Sequence, residues 1–375
     1  MRPQYKNEQE MVRYVQCQNC NLLGHKATYA NEMKNKCGYH KSLELILLIK
    51  SGAANFKRRQ AARNVWLKAT GNRMVSHLFV LGDLVSNDLS TEKLIQYRLL
   101  LKNCIDVDEV SSTSHEPFFT YLIFFFKDHH CDIPKEVKII QQNMVDRRLD
   151  FVEADNFNYT SLVAEALLYK DLLIIDSIND SYSNLLYKTT AALEWYIQYC
   201  SNGRYMALLD DDSFVFIDRL LKLINENQYG EQNLVLAGNR LEGYPIRDPF
   251  SKWAIPLSTY PLRKAPDFFN GVFFLMNTKV VQILLGTVKQ INVERLGKQL
   301  DDFILTGFAR ALARIQEQHV CNFSIGAQPW GITQPYRIRN DTIVFISYPR
   351  NTYLIEKTYL INTRRHINVL GLPYY

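Results

Sequence analysis

Apolar residues in this chain come in short solid blocks that alternate with stretches of helical period. Leu45-Ile46-Leu47-Leu48-Ile49 is apolar throughout, the pattern of a strand covered on both faces. Lys57 to Lys68 follows with helical spacing, Ala61, Ala62, Val65 and Trp66 falling on one side. His77 to Gly82 is a second strand, closed by Gly-Asp, and strand–helix–strand order predicts a parallel pair with a crossover. Beyond it, 86–152 is hard to read: Thr91 to Lys102 has helical spacing, and Pro117 to Phe126 suits either a strand or a buried helix. Regular order returns with a helix over Ser161–Tyr169, a strand over Leu172–Ile175, a long amphipathic helix from about Ser183 to Cys200, and a strand over Tyr205–Leu209. A helix over Asp218–Asn225 and a strand over Leu234–Gly238 come next. Asn239 to Asn270 carries five prolines and reads as a loop able to cover a site. Val272–Met276 is a further strand, and Asp301-Asp302 opens a helical stretch to Ile315. The last fifty residues hold only short candidate strands, and the first 40 read as an irregular, cysteine-bearing leader. No internal repeat is present. The pattern predicts an α/β fold with a mostly parallel central sheet flanked by helices.

The chemistry concentrates where Asp210, Asp211 and Asp212 follow the apolar run Tyr205–Leu209 and precede another, Phe214 to Ile217. Three like charges between two apolar runs repel one another, and burial raises the cost unless a cation neutralises them. Hard carboxylate oxygens suit Mg²⁺ or Mn²⁺, and these ions suit a diphosphate. A strand that delivers carboxylates at its carboxyl end also matches where open α/β sheets bind ligands. A solvated turn or helix cap built from Asp is the plain structural alternative.

The 375 residues allow one large domain or two. A net charge of +6 helps attract phosphorylated ligands but is too weak to argue for nucleic acid. No apolar segment approaches the roughly 20 residues of a membrane-spanning helix, and no signal-peptide core is visible. Cys17, Cys20, Cys37 and His40 have zinc-site spacing, but a disulfide-tied stalk fits the same cysteines and is the favoured reading in an oxidising lumen. Sequons at Asn158, Asn179, Asn322 and Asn340 are compatible with a secretory compartment. Asp128-His129-His130-Cys131 is an isolated four-residue match, read here as accident.

Several blocks, in order, resemble the inverting β-1,3-galactosyltransferase/N-acetylglucosaminyltransferase family of Golgi enzymes. Arg58-Arg59-Gln60-Ala61-Ala62-Arg63-Asn64-Val65-Trp66 is similar to that family's R-R-x-A-I-R-x-T-W, and Phe79-Val80-Leu81-Gly82 to its F-L-L-G. Tyr169 to Leu173, then Asp180 to Leu185 with Lys188 and Thr189, resemble Y-x-D-I-L and D-S-Y-x-N-L-T-x-K-T. Asp210–Asp212 falls at D-D-D, and Pro245-x-Arg247 with Lys252-Trp253 at P-x-R and K-W. Pro266 to Gly271 stands at an aromatic, Pro-containing N/S-G loop, and Asp301-Asp302-Phe303 at E-D-V. The likeness covers roughly 45–310, interrupted by 86–152. The Glu of the acid pair is replaced by Asp301, and one extra residue precedes Gly307. A carboxyl-terminal metal-binding His of some relatives has only His319 and His366 as counterparts.

The resemblance implies a leader or stem over 1–42 and one nucleotide-sugar-binding domain of the GT-A type over 43–375, with an unplaced insertion at about 86–152. It implies transfer of a hexose or N-acetylhexosamine from a UDP-sugar to a glycan hydroxyl on glycoprotein or glycolipid, with inversion and β-1,3 linkage. It further implies Mn²⁺ or Mg²⁺ as cofactor and membrane association on the luminal side of the Golgi. The metal falls to Asp212, with Asp210 second. Asp210 and Asp211 also border the nucleotide-sugar, although alternation along a strand can turn Asp211 to the other face. Asp302 is the expected base, with Asp301 the alternate and a mere helix N-cap the bland reading of both. Arg59, Arg63 and Lys188 are candidates for the nucleotide, solvated helix charges being the alternative for the last two. Lys252, Trp253, Asn270 and Gly271 would shape the donor-sugar or acceptor side, or serve structure only. Two other classes stay open: a catalytically inactive relative that binds glycans or acts as a chaperone, and a zinc-dependent nucleic-acid binder based on the leader.

Overall fold

The computed structural model describes residues 3–17, 27–31, 33–38, 43–70, 75–84, 89–105, 132–146, 157–226, 234–296, 300–319, 323–324 and 345–347. The central sheet has seven strands in the order β3-β2-β1-β4-β7-β6-β8. These are β1 Leu45–Lys50, β2 Val75–Asp83, β3 Leu172–Asn179, β4 Tyr205–Asp210, β6 Leu236–Leu241, β7 Phe268–Asn277 and β8 Gln318–His319. Every neighbouring pair is parallel except the two that β7 makes with β4 and β6. The mostly parallel α/β sheet expected from the periodicity is therefore present. β1 is buried at every position, as an interior parallel strand with covered faces requires. A small second sheet joins β5 (Ser213–Val215) to β10 (Phe345–Ser347) and β9 (Phe323–Ser324), so part of the carboxyl-terminal region does form short strands.

The strand directions position the site. β1, β2, β3 and β4 all end at one edge, where parallel sheets gather ligands. Because β7 runs the other way, its beginning, Phe268 to Gly271, comes to that same edge. Register then sets Lys50, the last residue of β1, opposite Asp210, the last residue of β4.

Among the described residues the α-helices longer than three residues are α1 Pro3–Val15, α2 Asn35–Gly38, α3 Phe56–Asn64, α4 Thr91–Cys104, α5 Lys135–Val145, α6 Tyr159–Tyr169, α7 Leu185–Tyr199, α8 Ile217–Glu226 and α9 Thr278–Val288. Several expectations need correction. The leader is not irregular throughout: α1 packs on the domain, with Glu8 Oε1 accepting from the buried Arg310 at 2.7 Å and Gln9 donating to the Ala311 carbonyl at 2.8 Å. The helix expected to reach Lys68 stops at Asn64, and Leu67–Thr70 is a separate 3₁₀ turn. Asn270-Gly271, expected in a loop, lies inside β7, which is longer than the apolar run that announced it. Within 86–152, α4 and α5 fold onto α6: Tyr97 stacks on Tyr159 with ring centroids 6.3 Å apart, and Gln141 donates to the Ala164 carbonyl at 3.2 Å. Pro117–Phe126 and Asp128–Cys131 lie outside the described residues.

Cys37 is joined to Cys200 by a disulfide, and Cys17 and Cys104 are disulfide-bonded as well. A disulfide sulfur is not a thiolate ligand, so the zinc array loses Cys17 and Cys37; Cys20 and His40 lie outside the described residues. No helix among the described residues is long and apolar enough to cross a membrane.

Candidate active site

Lys50 is the hub. It is only 4% exposed, yet its ammonium meets Asp210 Oδ1 at 3.1 Å and Asp301 Oδ2 at 3.0 Å, and donates to the Gly271 carbonyl at 2.9 Å. Burial alone would lower its pKa, but Asp210, Asp301 and Asp302 outweigh it and hold the pKa above the usual lysine value. The residue thus ties the ends of β1, β4 and β7 to the acid pair. It was not among the expected site residues. The available signal was a lysine closing a solid apolar block at the carboxyl end of a parallel strand.

The Asp triplet divides by direction, as strand alternation allows. Asp211 is buried and turned toward the loop after β1: its carboxylate accepts from Ser51 Oγ at 2.6 Å, Asn55 Nδ2 at 2.9 Å and Arg58 at 2.9 Å. The expected ligand contact of Asp211 is not supported by this geometry, since serine, asparagine and arginine already fill its oxygens. Asp210 points the other way, toward Lys50. Its carboxyl is pushed up to about 6, first by burial and then by the charges of Asp212 and Asp301 against the opposing pull of Lys50. Asp212 comes within 3.9 Å of Arg58.

The acid pair divides too. Asp301 is 2% exposed and occupied: Oδ2 receives both Lys50 and the Thr189 hydroxyl, the latter at 2.7 Å. Asp302 is held by backbone alone, Oδ2 accepting from Gly271 N at 3.0 Å and Oδ1 from Phe303 N at 2.7 Å. Burial and the neighbouring Asp301 push its carboxyl up to about 7, although Lys50 and the two backbone donors pull the other way. The N-cap reading is therefore partly right, since Asp302 caps the following segment. That segment, Phe303–Ala309, is π-helical. A π-bulge absorbs one residue within a helix, which accounts for the extra residue before Gly307 without displacing the acid pair. Gly271 is needed for this approach: a Cβ there would sit 3.1 Å from Asp302 Oδ2.

Arg59, Arg63 and Lys188 are placed differently from expectation. Arg59 is fully buried, and its guanidinium is taken up by both oxygens of Glu165, by Ser51 Oγ and by the carbonyls of Gly52 and Ala53. Arg63 makes a bidentate pair with Asp171 at 2.7 and 2.8 Å, reaches Glu165 at 2.7 Å and lies 4.0 Å above the Tyr169 ring. Lys188 donates to the Ser51 carbonyl at 2.9 Å and to Asp180 at 2.8 Å, while Asp180 also accepts from Ala53 N. None of the three presents a bare cation to a ligand. Together Arg59 and Lys188 fix the shape of the loop 51–53 that leaves β1.

Lys252 and Trp253 lie on the exposed side of the site. The Lys252 ammonium sits 4.6 Å from the Trp253 ring centre and 5.2 Å from that of Tyr182. The Tyr182 hydroxyl is raised first by burial and then by the charges of Asp302 and Asp301. Asn270 faces its own strand, Oδ1 accepting from Val272 N at 3.2 Å. His319 belongs to β8, three strands from β4 or roughly 14 Å at ordinary strand spacing, and His366 lies outside the described residues.

The donor set suits a divalent cation. Asp210, paired with Lys50, and Asp212, near Arg58, stand together at the end of β4, and the charge of Asp212 adds to the burial that lifts the Asp210 carboxyl. Among the described residues no three His, Cys, Asp or Glu side chains are gathered as a closed cage. Two carboxylates with room for phosphate oxygens and water are what Mg²⁺-type sites use, in contrast to all-protein cages.

The Galactosyltransferase family model matches residues 153–321. Over that stretch, less than half of the chain, the sequence is similar to the galactosyltransferase family. The matched stretch holds Lys188, the Asp triplet, Lys252, Trp253, Gly271 and the acid pair, while Lys50, Arg59 and Arg63 precede it. Beta-1,3-galactosyltransferase 1 of Mus musculus is 31% identical over 123 residues, covering 33% of this chain and 37% of the relative. Beta-1,3-galactosyltransferase 5 of Homo sapiens is 28% identical over 153 residues, covering 41% of this chain and 46% of the relative. The chain therefore matches less than half the length of these relatives. Among solved structures, the galactosyltransferase LgtC with donor and acceptor sugar analogs is 11% identical, covering 85% of this chain and 95% of that one at a TM-score of 0.37, a distant likeness.

Proposed function

We propose that this chain is a metal-dependent inverting hexosyltransferase with a GT-A-type domain. It would move a hexose or N-acetylhexosamine from a UDP-sugar to a glycan hydroxyl of a glycoprotein or glycolipid, in β-1,3 linkage. The relatives' printed names favour galactose. The observation that carries this reading is the arrangement around Lys50: Asp210 and Asp212 on one side, and on the other a carboxyl held only by backbone N–H groups and raised to about 7, Asp302.

In a single displacement the base removes the acceptor proton opposite the leaving diphosphate. Asp302 suits that task, because a pKa near the working pH balances availability of the ionised form against proton affinity. Asp301 is the positioning partner, occupied by Lys50 and Thr189. Asp210 and Asp212 would hold Mn²⁺ or Mg²⁺, which supplies Lewis-acid neutralisation of the departing diphosphate. Arg59 and Lys188 act on the nucleotide side through the loop 51–53, and Arg63 braces α3. Trp253 with Tyr182 offers aromatic surface to the sugar, and Lys252 a cation beside it. Disulfides at Cys17, Cys37, Cys104 and Cys200 suit an oxidising compartment such as the Golgi lumen. A non-catalytic relative is the second reading, favoured by the replacement of the acid pair's Glu by Asp301 and by the added helices α4 and α5.

UDP release from a panel of UDP-sugars, with Mn²⁺ and with chelator, tests the proposal. Turnover with one donor that chelator abolishes supports it. Metal-dependent UDP binding without turnover, acceptor mixtures included, supports the non-catalytic reading. No UDP binding rejects both.

A further inference from the structure

The two N–H groups that hold the Asp302 carboxylate come from different segments, Gly271 from β7 and Phe303 from the π-helical segment. A carboxylate gripped this way keeps its place only while both segments keep theirs. Arg310, buried just beyond the π-helical segment, joins them. Its Nε donates to the Thr306 carbonyl at 2.9 Å, and its guanidinium donates to the Asp267 carbonyl at 3.1 Å, one residue before β7. Thr306 carries the connection onward. Its hydroxyl accepts from Phe269 N in β7 at 2.8 Å and donates to the Asp302 carbonyl at 2.7 Å.

A buried guanidinium needs a counter-charge. The carboxylate within hydrogen-bond distance of Arg310 is that of Glu8, itself buried, at 2.7 Å. Glu317 stands farther off at 3.5 Å and is drawn to Arg240 at 3.0 Å, while the Asp267 carboxylate is taken up by Arg240 and Lys264, each at 3.1 Å. Glu8 comes from α1, which is anchored to the domain independently of this pair. Val12 and Val15 are buried, Tyr14 meets Tyr260 edge-on with ring centroids 5.4 Å apart, and the Val15 carbonyl accepts from Asn292 N at 2.7 Å. The helix can therefore present its carboxylate from a fixed position. We propose that Glu8 is a positioning residue for Asp302: through Arg310 it holds together the two backbone segments that grip the Asp302 carboxylate. The catalytic consequence rests on the function proposed above. If Asp302 is the base, α1 is part of the working site although it lies outside the sheet, because a shift of about 1 Å at a reacting group can cost about 10²-fold in rate.

Glu8→Gln in the full chain tests this, since it keeps the side chain's size and removes its charge. Arg310 retains its carbonyl partners and Glu317, so the variant is expected to fold. Its kcat for sugar transfer should fall about tenfold to 10²-fold, with KM for the UDP-sugar and metal-dependent UDP binding unchanged. The limb of the pH–rate profile should move to higher pH, because the two backbone donors that lower the Asp302 pKa are loosened. Amide hydrogen exchange should quicken in 268–271 and 303–306 and stay unchanged in β1. Glu8→Asp, which keeps the charge on a shorter stem, should lie between the wild type and Glu8→Gln, and it serves in its place should that variant not fold. Tyr14→Leu weakens the packing of α1 away from Arg310, and should lower the melting temperature without moving kcat or the limb. Wild-type kcat, limb and exchange in Glu8→Gln overturn the proposal. So does a loss of kcat that Tyr14→Leu reproduces at equal loss of melting temperature, or a loss of UDP binding in Glu8→Gln, since either would make the role of Glu8 one of general stability. Exchange is read without turnover: faster exchange confined to the two segments, in a protein with no transferase activity, would keep the coupling and remove only the catalytic reading.

Discussion

Lys50→Met removes one positive charge from the centre of the proposed site while keeping an unbranched side chain only one atom shorter. In the wild type the ammonium is 4% exposed and compensates Asp210 and Asp301 at 3.1 and 3.0 Å. Removing one partner of a buried ion pair leaves the other charge stranded, at a cost of about 3–5 kcal/mol. With an unfolding entropy of about 2.1 cal/mol/K per residue over the 375 residues, that is a fall in Tm of roughly 4–6 °C. The pH dependence identifies the cause. The lysine's pKa is raised, so its contribution is fully present throughout the neutral and acidic range. The variant must instead bury carboxylates without a counter-charge, and protonating them at lower pH relieves it. The Tm difference should therefore be largest near about pH 8 and shrink toward about pH 5. Calorimetry of both proteins across that range, in chelator, is the assay. A variant with wild-type Tm, or a difference that is the same at both ends, would refute the hub role given to Lys50.

Other expectations follow from the same geometry. Activity should rise with pH through a limb near 7, because Asp302 must be ionised to act and its carboxyl is raised to about 7; the same shift means its contribution to stability falls as pH rises through that value, and Asp302→Asn should remove the limb together with about 10²–10⁴-fold of the rate. Gly271→Ala, whose new methyl would sit 3.1 Å from Asp302 Oδ2, should cost about 10²-fold in turnover with little change in melting, measured by UDP release and calorimetry side by side. Arg59→Met should act mainly on folding, destabilising by about 3–5 kcal/mol, since buried Glu165 keeps only Arg63 and the Gly52 and Ala53 carbonyls lose their donor; a variant with unchanged melting but weak UDP binding would restore the direct contact first expected of Arg59. Cys37→Ser should lower stability by about 2–5 kcal/mol by opening a link that spans 163 residues, checked by denaturant unfolding.

How much of this was legible in the sequence varies with the physics involved. β1, β2 and β4 announce themselves because interior parallel strands are apolar on both faces, and register follows once they pair. The two acidic groups were legible as motifs, but their division of labour was not. Neighbouring carboxylates look alike in sequence, whereas in space Asp211 meets Ser51, Asn55 and Arg58, and Asp301 meets Lys50 and Thr189. Arg59 and Arg63 read as helix charges or ligand contacts because their partners are remote: Glu165 is 106 residues from Arg59, and Asp171 is 108 from Arg63. Local spacing carries no information about such pairs. The same limit hid α1, whose Glu8 finds Arg310 302 residues away. Within the insertion, the helical spacing of Thr91 to Lys102 was legible and is α4, whereas α5 and the packing of both helices on α6 were not.

The division between a metal-holding side and a proton-accepting side is the centre of the account, and UDP binding measured together with transfer tests it most directly. Calorimetric titration of UDP with Mn²⁺ and with chelator, paired with sugar transfer, should be run on the wild type, Asp212→Asn and Asp302→Asn. The account predicts that Asp212→Asn loses metal-dependent UDP binding and transfer together. It predicts that Asp302→Asn keeps wild-type metal-dependent UDP binding while transfer falls about 10²–10⁴-fold. Transfer that survives Asp302→Asn, or UDP binding in the wild type that is indifferent to chelator, would contradict it.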